Sequence, residues 1–147
     1  MVMIKIFNTQ TGKIEEVEKV VKTDEQWRKL LTPEQFEITR RKDTEAPFSQ
    51  TCPIPPTKSG VYQCVCCGTD LFAYQTKFDS GTGWPSFFEP ISDLNVKLAT
   101  DKSLWAERTE VDCARCDAHL GHVFDDGPPP TGKRYCINTL ALHLADS

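Results

Sequence analysis

HLGHVFDDGPPPTGKRYCINTLALHL, residues 119–144, sets two apolar runs on either side of a loop rich in proline and glycine. Short apolar runs bounded by turn residues read as β-strands. Residues 125–133 between them read as a stiff turn that delivers the chain into its last strand. Upstream the pattern recurs in VYQCVC (61–66), LFAYQTKF (71–78), VKLAT (96–100) and LWAERTEVDC (104–113). The expected class is therefore mainly β, built from antiparallel sheets.

Helix signals are confined to the N-terminal third. Thr23 is followed three residues on by Gln26, and Thr32 by Gln35 with Pro33 at the first helical position, so two capping boxes start two short helices. Trp27, Leu30 and Leu31 give the first helix an apolar side, and Phe36 and Ile38 serve the second less cleanly. Residues 1–22 read as an N-terminal extension to a domain spanning 23–147. MIKIF and KIEEVEKV around NTQTG suit a hairpin, although the second run is also compatible with a helix start. Residues 43–60 contain four prolines and read as an ordered loop wrapping the domain.

The chain of 147 residues fits one domain with its own core, and 39% apolar with 26% charged residues is an ordinary globular composition. A net charge of -4 without a basic stripe argues against a nucleic-acid partner. No apolar run approaches the roughly 18 residues of a membrane span, and no signal segment opens the chain, so neither a membrane nor export is expected. The expected location is the cytoplasm.

Seven cysteines without an export signal argue against a disulfide framework. Cys64 with Cys67, and Cys113 with Cys116, form two C-x-x-C pairs, and such pairs build knuckles whose four thiolates suit tetrahedral zinc. Buried unmetallated thiols, an iron–sulfur cluster, and a three-cysteine set completed by His119 are the alternatives. Cys66 reads as a packed bystander. Cys136 stands alone. A period of two along the last strand puts Arg134, Cys136, Asn138, Leu140 and Leu142 on one face, and Tyr135, Ile137, Thr139 and Ala141 on the other. A guanidinium beside a thiol favours the thiolate, which is the nucleophile, whereas a packed cysteine at a solvated strand end is the plainer reading. His119 and His122 fall on opposite faces of a regular strand, unless Gly121 permits a bulge that turns both to one site. Trp84, in the loop GTGWPSFF (81–88), reads as a core residue or as the wall of an apolar pocket.

Taken together, LTPEQFEITRRKDTEAPFS, GVYQCVCCGTDLF, KFDSGTGWPSF and CARCDAHLGHVFDDGPPPTGKRYCIN resemble the B-type methionine sulfoxide reductases, over roughly residues 23–144. The resemblance implies a β-tent of two small antiparallel sheets with short N-terminal helices. It implies a structural zinc on Cys64, Cys67, Cys113 and Cys116, and Cys136 as the nucleophile. His119, His122 and Asn138 would position the substrate and protonate its oxygen, Arg134 would hold the thiolate, and Trp84 would cradle the methyl group with Phe124 beside it. The substrate would be the R epimer of methionine sulfoxide, free or in proteins. Attack by Cys136 would release methionine and leave a sulfenic acid, which a second thiol and a thioredoxin-like or other thiol reductant would clear. A monomer is expected.

One departure matters. Many members of that family carry the resolving cysteine in the GWPSF loop, where this chain has Thr82. Cys52 is the leading substitute, Cys66 the second, and direct attack by the reductant the third. A zinc-stabilised binding module, a zinc-ribbon nucleic-acid binder and a histidine-based metal hydrolase are the rival readings; the first explains the paired cysteines equally well but leaves Cys136 and its neighbours without a role.

Overall fold

The computed structural model describes residues 2–102 and 107–145. The chain opens with an antiparallel hairpin, β1 (Met3–Asn8) and β2 (Lys13–Glu18). Helices α1 (Asp24–Leu30) and α2 (Pro33–Arg40) follow. After the proline-rich loop come β3 (Val61–Cys64), β4 (Asp70–Ala73), β5 (Lys77–Phe78) and β6 (Ser86–Phe87). The last third holds β7 (Val96–Asp101), β8 (Arg108–Cys113), β9 (His119–Phe124), β10 (Arg134–Ile137) and β11 (Leu142–Ala145). The fold is mainly β. One antiparallel sheet runs β5-β6-β10-β9-β8-β7, and a second runs β11-β3-β4.

Aromatic side chains join the two sheets. Phe87 of β6 stacks on Phe72 of β4 at 4.5 Å between ring centroids, Tyr62 of β3 meets Phe87 edge-on at 5.5 Å, and Tyr135 of β10 lies 5.8 Å from Phe72. Leu71, Val111, Leu120 and Ile137 complete this layer and are fully buried. Both capping boxes form: Thr23 Oγ1 accepts from Gln26 N at 3.2 Å, and Thr32 Oγ1 from Gln35 N at 3.1 Å. Helix α1 buries Trp27, on whose ring the Arg40 guanidinium stacks at 4.5 Å, while α2 buries Phe36 and Ile38 and packs on β9. Leu30, read above as part of the apolar side of α1, points to solvent; Leu31 at the helix end is the buried one.

The hairpin is stitched to the body rather than hung from it. Asn95, fully buried, accepts from Phe7 N and donates to the carbonyls of Phe7 and Asp70. Thr9 donates to Asp70, and Val20 N to the Arg115 carbonyl.

Several sequence runs are longer than the strands they contain. RYCINTLALHL does not continue as one strand. It leaves the large sheet at Ile137, makes a 3₁₀ turn over Thr139–Ala141, and enters the small sheet as β11. The Glu45 carboxylate takes Leu140 N at 3.0 Å, so a side chain holds the donor that a strand partner would need. The two-residue face pattern therefore holds only to Asn138. LFAYQTKF splits the same way, into β4, a turn over Tyr74–Thr76, and β5. The GTGWPSFF loop contains the short strand β6. In LWAERTEVDC the strand runs from Arg108; its first residues, 104–106, lie outside the described residues.

Gly121 sits where β9 meets β10, and a Cβ there would overlap the Cys136 carbonyl oxygen and press on Ile137 Cα. The backbones come together because glycine has no side chain. Gly121→Ala is expected to lower stability by about 1–3 kcal/mol through overpacking, read from the urea unfolding midpoint. An unchanged midpoint would contradict this packing.

Candidate active site and sulfur cluster

Strand β10 lies between β6 and β9, with Cys136 opposite Ser86 on one side and His122 on the other. Because Tyr135 and Ile137 point into the core, Arg134 and Cys136 point out of it. There they line a cleft of about 220 Å³ with Thr44, Thr82, Trp84, Arg108, Gly121, His122, Phe124 and Asn138. Of the residues read from sequence, Cys136, Arg134, Asn138, His122, Trp84 and Phe124 meet in this one place.

The thiol differs from the sequence expectation in one respect. Burial is the largest influence on Cys136 and pushes it above the ordinary thiol range; Arg134 and the Thr82 hydroxyl pull it down without winning. Arg134 spends its fork on Asp126, with Nε 2.9 Å from Oδ1 and Nη2 3.2 Å from Oδ2, and stacks on Phe124 at 4.4 Å. Its charge is therefore shared before it reaches the sulfur. Thr82 also meets Ser80 Oγ at 2.8 Å, and Ser80 meets the buried Ser86 at 2.7 Å.

The bulge anticipated near Gly121 forms one residue earlier. Val111 pairs with Gly121 but Asp112 with His119, so Leu120 is the extra residue in β9. The two imidazoles lie 5.4 Å apart, edge to face. They do not share the cleft equally. His122 lines it, with Nε2 2.8 Å from Asp101 Oδ2, and burial holds this imidazole below its ordinary range, which leaves it neutral at pH 7. His119 stands behind it in an adjoining pocket, with Nδ1 3.2 Å from both Glu110 and Asp112. Lys42 meets the same Glu110 at 3.2 Å.

Asn138 is buried, donates from Nδ2 to the Leu120 carbonyl at 3.1 Å, and accepts from Glu45 N at 3.1 Å. An amide carries two N–H groups, and the second has no partner among the described residues. Trp84 donates from Nε1 to the Glu45 carbonyl at 3.0 Å, which turns the indole along the cleft wall. The sequence reading missed Glu45, Thr44, Asp101 and Arg108. Arg108 Nε is buried in the cleft region without a partner among the described residues. Thr44 and Glu45 fall in a stretch that carries the resemblance, but spacing alone singles out none of the four; long-range contacts bring them in.

Cys64, Cys67, Cys113 and Cys116 form a cluster whose ligand atoms all lie within 4.8 Å of one another. The knuckles are built alike. Gly68 N donates to the Cys64 carbonyl and Asp117 N to the Cys113 carbonyl, each at 2.9 Å, and each turn ends on a positive φ. Sγ–Sγ separations of 3.6 Å for Cys64–Cys116 and Cys67–Cys113 approach the edge of a tetrahedron with bonds of about 2.3 Å, roughly 3.8 Å. Arg40 Nη2 donates to the Cys116 carbonyl at 2.9 Å, with Nη1 3.8 Å from its sulfur. Cys66 lies against Arg40 and Cys116 rather than in the cleft. Cys52 sits in the proline-rich loop beside Tyr62 and Pro53, and is not among the residues lining the cleft.

Comparison with known proteins gives one consistent answer. The family described as the SelR domain matches residues 31–146. The chain is 55% identical to the peptide methionine sulfoxide reductase MsrB of Methanosarcina barkeri, over 85% of this chain and 87% of that protein. It is 54% identical to the MsrB of Pseudomonas putida, over 87% of this chain and 97% of that one. It is 62% identical to the chloroplastic peptide methionine sulfoxide reductase B1 of Oryza sativa subsp. japonica, over 83% of this chain and 56% of that one.

Since the thiolate is the reactive form, alkylation of Cys136 by iodoacetamide should rise with pH to a midpoint above the ordinary thiol value of about 8.5. Arg134→Ala should push that midpoint higher and slow alkylation several-fold at about pH 8. Peptide mass mapping at Cys136 reads both. A midpoint well below the ordinary value would overturn the balance described here.

Proposed function

This chain belongs to the SelR-domain family, and we propose that it reduces the R epimer of methionine sulfoxide through attack by the Cys136 sulfur on the sulfoxide sulfur. The named relatives are peptide methionine sulfoxide reductases, which supports this activity for the chain. The observation that supports the roles assigned here is the half-buried Cys136 in a cleft shared with His122, Asn138 and Trp84.

In the net step the thiol S–H and the sulfoxide S=O bonds break, and a sulfur–oxygen bond to Cys136 forms. Cys136 is oxidised to sulfenic acid, methionine leaves as the thioether, and the thiol proton ends on the transferred oxygen. A neutral His122 can take that proton and return it to the oxygen, which makes the sulfoxide sulfur electrophilic as the thiolate arrives. The second Nδ2 proton of Asn138 is a donor for the same oxygen. Arg134 draws the thiol toward its anion. His119, held by Glu110 and Asp112, fixes His122 from behind. Trp84 and Phe124 supply apolar walls for the methyl group. Methyl on one side and oxygen donors on the other make the pocket chiral, which is the basis for choosing one epimer. A non-catalytic binding module gives this arrangement no purpose.

Regeneration is assigned to Cys52, with a thioredoxin-like or other thiol reductant opening the resulting disulfide. Burial raises its thiol above the ordinary range; because Cys52 does not line the cleft, the resolving step needs the proline-rich loop to carry it toward Cys136. Thr82 can hydrogen-bond the nucleophile but cannot form a disulfide. The four-sulfur cluster fits zinc: the donors are all thiol, three of them are buried, and two Sγ–Sγ separations of 3.6 Å are close to a tetrahedral edge. Zinc there would be structural, closing four coordination positions. Residues 1–22 are assigned as an extension to the reductase domain at 23–147. No helix among the described residues is long and apolar enough to cross a membrane. A reducing cytoplasm and a monomeric state complete the reading.

With dithiothreitol as reductant, the protein should consume methionine-R-sulfoxide and leave the S epimer. Cys136→Ser should cut the rate by about 10³-fold or more. Trp84→Ala should raise KM about tenfold or erode the epimer preference. Equal use of both epimers, or an active Cys136→Ser variant, would refute the assignment. Elemental analysis should find one zinc per chain. Cys113→Ser should lose the metal and lower the unfolding midpoint; a variant as stable as the parent would remove the structural role.

A further inference from the structure

A second groove, of about 510 Å³ against about 220 Å³ for the cleft, runs between α2 and residues 43–50. Thr44 lines both, so the groove borders the cleft. Its floor is apolar, from Ile38 and Leu140, and its rim carries the exposed carboxylates Glu34, Glu37 and Asp43. None of the three pairs with a cation among the described residues, and no Lys, Arg or His lines the groove. Glu45 adds an independent sign. It is 6% exposed and lines the groove; its Oε1 is tied to Leu140 N, and its Oε2 has no partner among the described residues. A buried carboxylate oxygen left unmatched is costly, and a cationic donor reaching it would satisfy it.

We propose that this groove holds the polypeptide flanking an oxidised methionine and selects a Lys or Arg near it. The proposal rests on the reductase reading of the cleft. Polypeptide is the occupant because the groove borders the cleft at Thr44, and free methionine sulfoxide would leave it empty. An extended chain advances about 3.3 Å per residue, so a side chain some two to four residues from the sulfoxide reaches the groove. The apolar floor takes the aliphatic stem of that side chain, and the carboxylates take its head. The backbone of Glu45 holds Trp84 and Asn138, so the same residue borders both sites.

The test uses the full-length protein with dithiothreitol. Its substrates are matched peptides carrying methionine-R-sulfoxide with Lys or with Glu three residues away, alongside capped methionine-R-sulfoxide. The Lys peptide should show a kcat/KM about tenfold above the Glu peptide, mostly through KM, with the ratio falling as salt is added. Glu34→Gln combined with Glu37→Gln, both at exposed positions, should bring the ratio close to one. Equal kcat/KM for the two peptides with good turnover of the capped substrate overturns the groove and leaves the reductase reading intact. No turnover of any sulfoxide overturns both. If the double variant keeps the peptide ratio but raises KM for a thioredoxin-like reductant, the groove belongs to the reductant and the proposal is wrong.

Discussion

The site depends on a single strand that serves two masters. Tyr135 and Ile137 must enter the core, at 7% and 0% exposure, and the two-residue period then forces Arg134 and Cys136 to the opposite side. β10 is flanked by β6 and β9, so the thiol is fixed by hydrogen-bonded neighbours on both sides. Gly121 allows β9 to close on β10, and Leu120, the bulged residue, turns the two imidazoles toward each other. Packing in the core and geometry in the cleft are one constraint seen from two faces.

The sulfur cluster bridges the two sheets. Its first knuckle follows β3 of the small sheet and its second follows β8 of the large one. A metal held there joins two layers that otherwise meet through Tyr62, Phe72 and Phe87. The N-terminal hairpin reinforces the same region. Lys19 and Lys97 converge on Asp117 at 2.6 Å, immediately after the second knuckle, and Asn95 bridges β1 to the residue that begins β4. With half-exposed partners, the lysine pairs contribute little each; the buried hydrogen bonds of Asn95 contribute more.

Much of this was legible in the chain. Local signals carried the capping boxes, the knuckle pairs and the facing of Arg134, Cys136 and Asn138, because each depends on spacing over a few residues. What failed to appear locally was whatever depends on distant partners. RYCINTLALHL looks like one strand, yet a carboxylate 95 residues away takes Leu140 N and bends it. The Arg134 neighbour suggested a lowered thiol, but Asp126 shares that charge and burial outweighs it. The distinction between His122 in the cleft and His119 behind it rests on Glu110 and Asp112 from β8. Glu45, which touches Trp84, Asn138 and Leu140, lies in a stretch that carries the resemblance, yet nothing in its local pattern marks it as a site residue.

The most direct test of the account is a single turnover. Fully reduced protein is mixed with excess methionine-R-sulfoxide and no reductant; methionine is counted per chain, and the cysteines are mapped by mass spectrometry with a sulfenic-acid trap present. The expected result is about one methionine per chain, with the oxidised sulfur at Cys136, as a trapped sulfenic acid or a disulfide to Cys52. Release of methionine with Cys136 unmodified, or no release from folded, metal-loaded protein, would contradict it.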